Sequence, residues 1–195
     1  MTGGFKALFD YAQGLSLHVR RNDIKDKIIE LTGVDGIAHY RSGLDTSVCR
    51  GYWLTPQNSS HHFVQQLGGH IVVTARDNNP CWERFVMVKE MMHLFDTEAQ
   101  KAGDAEVLNT LLAEFSSSSS LTVPFSPQLE SEIESFLQAL AVLCPQTFRK
   151  RFRDELDQGK TDHYGIALKL RIPEAYVPRL FEDRFDKWLS SRGFI

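Results

Sequence analysis

Between Pro80 and Phe95 the chain carries more apolar surface than an exposed helix can present. Phe85, Val88, Met92 and Phe95 mark one face of a helix predicted over 81–95. Val86 and Met87 widen that face, and Trp82, Met91 and Leu94 cover most of the remaining circumference. A helix that is apolar nearly all round is buried, and no run in the chain approaches the ~20 apolar residues of a membrane span. The rest of the chain must therefore fold around this helix. Lys89, Glu90 and His93 nevertheless lie on it within about one turn, because helix positions three and four apart are neighbours. Ionisable groups on a buried helix are costly unless they pair with one another or with something beyond the helix. Their proximity is the physical argument for a site here.

The 195 residues suffice for one good core with at most a small appendage. Composition is that of an ordinary globular protein, 42% apolar and 24% charged, and the net charge of -3 provides no general electrostatic case for nucleic acid or membrane as a partner. Cys49, Cys81 and Cys144 are odd in number and widely spaced, which argues against a disulfide framework or a cysteine metal site. Met1–Asp10 lacks the long apolar core of a signal peptide, so a cytoplasmic protein is expected.

Along the chain, residues 5–32 read as helical with a basic break at Arg20-Arg21, and Gly33–Gly36 stops the helix. Short β-like runs follow at Ile37–Tyr40, Val48–Leu54, His62–Gln66 and His70–Ala75, of which Ile71–Thr74 is the clearest. Asp77–Pro80 is a turn suited to helix entry. Helical spacing resumes over 104–115, a Ser116–Ser120 run follows, and 127–156 forms one or two helices interrupted near Pro145. The Arg149–Arg153 cluster is followed at once by acidic residues and reads as a solvated, charge-mixed face. Gly165–Leu170, a turn and Glu174–Phe181 have the outline of a helix-turn-helix. Its second helix opens Glu174-Ala175-Tyr176, a poor start for a DNA reader, so a structural or protein-docking pair is expected. Phe181, Phe185, Trp188 and Leu189 form a final apolar stripe. The expected organisation is an N-terminal helical segment (1–34), a core (35–125) and a C-terminal helical region (126–195).

Lys89-Glu90-Met91-Met92-His93 is one residue away from His-Glu-x-x-His, the metallopeptidase motif with two zinc ligands a turn apart and a Glu that activates water. Other stretches fall in a matching order: Gly69–Thr74, Arg84-Phe85, Ala113-Glu114, Leu121–Pro124, and Ile166–Pro173 followed by Val177 and Arg179-Leu180. Over roughly residues 35–182 the chain resembles the ImmA/IrrE family of zinc-metallopeptidase-like proteins. The resemblance implies an α+β, zincin-like metallopeptidase fold, with a small antiparallel sheet packed on helices and a helical C-terminal region. Family members generally cut or control helix-turn-helix repressors in phage, mobile-element or stress settings. Carried over by position, Glu90 takes the catalytic base, His93 the second zinc ligand and Glu114 the third, with Glu106 as the competing candidate. Lys89 falls on the first ligand.

A protonated ammonium has no lone pair for a metal. One reading is that charged Lys89 takes over the ion's electrostatic role beside Glu90 and Glu114. No cofactor is then expected, and the chain acts as an inactive regulatory protein on a protein partner such as a helix-turn-helix repressor. A second reading retains zinc and endopeptidase activity, through a neutral Lys89 amine or a replacement donor among His61, His62 and His70. A third is an ordinary buried Lys–Glu pair with no site. Those three histidines otherwise read as solvent-facing, Cys81 as a buried structural thiol, and Met87, Met91 and Met92 as core packing.

Overall fold

A computed structural model of the chain describes residues 2–97, 100 and 126–195. The expected 104–115 helix, with Glu106 and Glu114, the Ser116–Ser120 run and Leu121–Pro124 all lie outside the described residues. The fold is mixed α+β. Helices α1 (Thr2–Gln13) and α2 (Arg21–Thr32) precede strand β1 (Ile37–Ser42), strand β2 (Gly51–Leu54), helix α3 (His62–Leu67) and strand β3 (His70–Ala75). The motif helix α4 (Pro80–Met92) runs into a 3-10 turn at His93–Phe95. Helices α5 (Pro127–Leu143), α6 (Gln146–Asp157), α7 (His163–Leu170) and α8 (Asp183–Ser191) complete the described elements, with 3-10 turns at Glu174–Tyr176 and Pro178–Phe181.

The sheet has the order β1-β3-β2. Strand β3 is central, parallel to β1 (Tyr40 opposite Val73) and antiparallel to β2 (Tyr52 opposite Val73). The sheet is therefore mixed rather than antiparallel. Successive strand residues point to opposite faces, and both faces of β3 are covered. Val72 enters the main core, whereas Ile71 and Val73 join Leu54, Phe63 and Val64 in a smaller cluster. This is why β3 reads as a continuous apolar run instead of an alternating one.

The His62–Gln66 run is a helix, not a strand. The His61 ring accepts a hydrogen bond from the Phe63 amide, and Gly68, at φ 65°, ends the element. A helical turn lets the adjacent Phe63 and Val64 both reach the smaller cluster, which a strand's alternation would forbid. The expected helix over 174–181 is likewise two 3-10 turns, because Pro178 lacks the N–H that would continue it.

Helix α4 starts where the Asn79 side chain accepts from the amides of Cys81 and Trp82, with Pro80 in the first turn. It sits in the main core together with Phe5, Leu8 and Phe9 of α1, Ile24 and Ile28 of α2, Leu140 and Leu143 of α5, and Phe185 and Leu189 of α8. The N-terminal, motif and C-terminal helices thus share one core. Met87, Met91 and Met92 are all within it, and Cys81 is half-buried. Gly51 brings β2 hard against α4. A Cβ there would lie 2.5 Å from a Val86 methyl and 2.7 Å from the Val73 carbonyl oxygen.

The basic run on α6 is not uniformly solvated. Arg149 is buried, donating to the Leu180 carbonyl at 2.6 Å and pairing with Asp186, because it shares a helix face with fully buried Phe152. Arg151 meets the original expectation, pairing at the surface with Glu155 at 3.3 Å. No described helix is long and apolar enough to cross a membrane.

Candidate functional site

The last turn of α4 and the first turns of α5 build one polar cluster inside otherwise apolar surroundings. Ser126 caps α5 by accepting from the Leu129 amide, which aims Ser131 and Glu132 at the end of α4. The Lys89 ammonium lies among three side chains. It donates to Glu90 Oε1 at 3.1 Å and to Glu132 Oε2, and it stands 3.4 Å from His93 Nε2. The α-helix ends at Met92, and His93 opens the 3-10 turn. Its Nε2 faces Glu132 Oε1 at 3.4 Å and Glu90 Oε2 at 3.7 Å. On the other side of the ring, Nδ1 is 2.7 Å from Asp96 Oδ2 and 3.1 Å from Ser131 Oγ, and the Ser131 hydroxyl donates to the same Asp96 carboxylate.

Electrostatics follow from that geometry. Burial alone would lower the Lys89 pKa, but Glu90 and Glu132 outweigh it and hold the ammonium well above its usual value. Burial also disfavours a charged His93, yet hydrogen bonds to Asp96 and Glu132 raise its pKa to about 9. Lys89 and His93 together drive the Glu132 carboxyl far below the ordinary range, against its burial. Glu90, the more buried carboxyl, is pushed upward by desolvation, which Lys89 and His93 only partly offset. The cluster is therefore two cations held mainly by Glu132 and Asp96, with Glu90 closing it.

The structure thus brings together three of the four residues singled out in sequence, Lys89, Glu90 and His93. Glu114 and its competitor Glu106 lie outside the described residues. His61 and His62 sit at the start of α3, while His70 opens β3 with its ring stacked on Trp53 at 5.2 Å. Three participants were missed, Glu132, Asp96 and Ser131. Asp96 stands three residues after His93, a spacing at which helical neighbours meet. Glu132 had a weaker signal. Ser131, Ser135 and Gln138 put buried polar groups at helical spacing on α5 beside it, which marks a polar seam facing another helix.

The zinc implied by the resemblance does not fit these residues as they stand. The donors Glu90, His93 and Glu132 converge, but on a protonated amine that fills their common centre and offers no lone pair. Among the described residues no group of three or more His, Cys, Asp and Glu side chains is placed to hold a metal ion. Two cavities open on the cluster. One, of about 450 Å³, is lined by Lys89, Glu132 and an apolar wall that includes Phe136 and Phe185. The other, of about 370 Å³, is lined by Lys89, Glu90, Cys49 and Trp82. Lys89, Phe136 and Tyr176 border both. Cys49 hydrogen-bonds the Gly51 carbonyl, and burial raises its thiol pKa, so it rests as a thiol rather than a thiolate nucleophile. In comparisons with protein families, curated proteins and solved structures, nothing matches the chain.

Proposed function

We propose that the chain is a catalytically inactive, ImmA/IrrE-like regulatory protein that works by binding another protein. Its zincin-like site is held together by a lysine ammonium instead of a metal. One observation carries this reading: Lys89 Nζ stands among Glu90, Glu132 and His93, within 3.4 Å of all three. An internal ammonium, together with a protonated His93, offsets carboxylate charge that a divalent cation would otherwise hold, but it cannot polarise a carbonyl or lower the pKa of water as a metal does. Glu90, already engaged by Lys89, is not free to act as a base toward water. The partner proposed is a protein such as a helix-turn-helix repressor, in a cytoplasmic mobile-element or stress-response setting. In this reading Glu132 takes the position that the resemblance implies for Glu114 or its competitor Glu106.

The test is metal content. Protein purified without chelator or metal-affinity tag should contain no stoichiometric zinc, and a Lys89→His variant should take up about one zinc per chain, since the two histidines would then lie a turn apart with Glu132 facing them. Stoichiometric zinc in the unaltered protein would instead support the endopeptidase reading. A Lys89→His variant that binds none would remove the zincin-like site from consideration.

A further inference from the structure

The two cavities beside Lys89 are not electrically neutral once their internal pairs are counted. In the larger one Glu132 is committed to Lys89 and His93, and Glu182 to Arg179 at 2.7 Å. Arg184, exposed at its rim, has no ion-pair partner among the described residues. In the smaller cavity Glu90 is committed to Lys89. Arg50 lies 3.9 Å above the Trp82 ring and donates to the Asn78 side chain at 3.2 Å, but no carboxylate answers its charge among the described residues. Between these two arginines run Phe136 and Tyr176, which border both cavities and pack edge-to-face at 4.8 Å. Among the described residues each of these adjoining cavities thus carries one unanswered guanidinium, and the aromatic pair lies on the border they share, so that together they form one candidate groove.

We infer that this groove binds an acidic peptide segment of a protein partner. Apolar side chains would lie over Phe136 and Tyr176, and carboxylates on either side would meet Arg50 and Arg184. The argument is charge complementarity. Every carboxylate among the described residues that line the groove is already paired within the protein, so a basic segment would find no free partner among them, whereas an acidic one finds two. Guanidinium groups suit carboxylates through their forked geometry, and an aromatic floor with a few placed charges is the usual make-up of a recognition site. The inference deepens the proposed function by naming the chemistry of the partner, and it rests on that reading only for the claim that binding, not cleavage, is the activity.

A random-peptide display library selected on the full-length protein tests it, with enriched peptides resynthesised and titrated by fluorescence anisotropy. The expected result is enrichment of sequences with Asp or Glu on both sides of an apolar centre. Arg184→Glu should weaken their binding about tenfold, and added salt should weaken it further. Arg184 is exposed, so this variant should melt with the unaltered protein, and Arg50→Gln provides an independent check at the other end. Enrichment of basic or neutral sequences, no enrichment, or affinity indifferent to both substitutions would overturn the inference. Self-association that Arg184→Glu abolishes, without peptide binding, would assign the groove to a second copy and overturn it too. Zinc in the unaltered protein would defeat the binding-only reading while leaving the peptide preference standing, so the two failures are distinguishable.

Discussion

Helix α4 buries charge at both ends, and the two ends use it differently. At its start, Glu83 and Arg84 reach away from the helix. Glu83 pairs with Arg21 at 2.7 Å and with Arg41, and Arg84 donates to the carbonyls of Leu170 (2.9 Å), Arg171 (3.1 Å) and Val19. Those contacts staple α4 to α2, to β1 and to the end of α7. At its finish, Lys89 and Glu90 turn to each other, to His93 and to Glu132, and both cavities open on them. Buried charge spent on distant backbone and strands is architecture. Buried charge gathered at one point with open space beside it is a site.

Four measurements can break or sharpen that contrast. The largest effect is expected from Arg84→Met, which leaves three carbonyls, two of them in buried bonds, without their donor and should cost about 3–4 kcal/mol in denaturant unfolding. Metal content and peptide preference should not respond, and a change in either would mean that the two ends are coupled. Lys89→Met comes next. Removing the central cation strands Glu90 and Glu132, and about 2–3 kcal/mol of stability should be lost at pH 7. That deficit should shrink toward pH 5 as the stranded carboxyls take up protons. Unchanged stability would instead make Lys89 a bystander.

The pH profile of the unaltered protein is the third measurement. The His93 pKa is raised from 6.5 to about 9 on folding, so its contribution is complete below pH 6.5 and disappears as pH rises through about 9. It should be on the order of 2 kcal/mol. Glu132 acts oppositely: lowered from 4.5, it stabilises above pH 4.5 and loses its effect as pH falls below. Stability should therefore fall at both extremes, while Glu90, whose pKa burial raises, tilts the interval between them by costing stability above pH 4.5, and His93→Gln should flatten the alkaline side. The smallest effect belongs to Glu83→Gln. Its partners Arg21 and Arg41 are 38% and 56% exposed, so solvent screening limits the loss to about 1 kcal/mol, and less in high salt. A loss as large as that of Lys89→Met would erase the distinction between the two ends.

How much could be read in advance depended on how local the cause was. The burial of α4 followed from its apolar circumference, and β3 from Ile71–Thr74. The interruption at Pro145 also fell where expected, whereas the break expected at Arg20-Arg21 opens after Gln13, and Arg21 already begins α2. Helix α3 was read as a strand because a short apolar run has no decisive period, and its cap, the His61 ring, is specific to this turn. The parallel pairing of β1 with β3 depends on which strand becomes central, and no single segment determines that. The site divided in the same way. Lys89, Glu90 and His93 share one helix end and were legible, but Glu132 is 43 residues from Lys89 and meets it only through the packing of α5 on α4. Arg149 hid within a basic run, although its spacing from Phe152 was a usable sign of burial.

Gly51 has a consequence for genetics. It bears no functional atom, yet any side chain placed there must displace both Val86 on α4 and the β3 backbone at Val73. Val86 and Gly51 line the same cavity as Lys89. An unbiased screen for loss of activity should therefore recover substitutions at Gly51 beside those at Lys89 and Glu132. They would look like binding-site mutants while acting as a wedge between α4 and β3, and Val86→Ala alone should not relieve them, because the Val73 carbonyl oxygen would still lie 2.7 Å from the added Cβ.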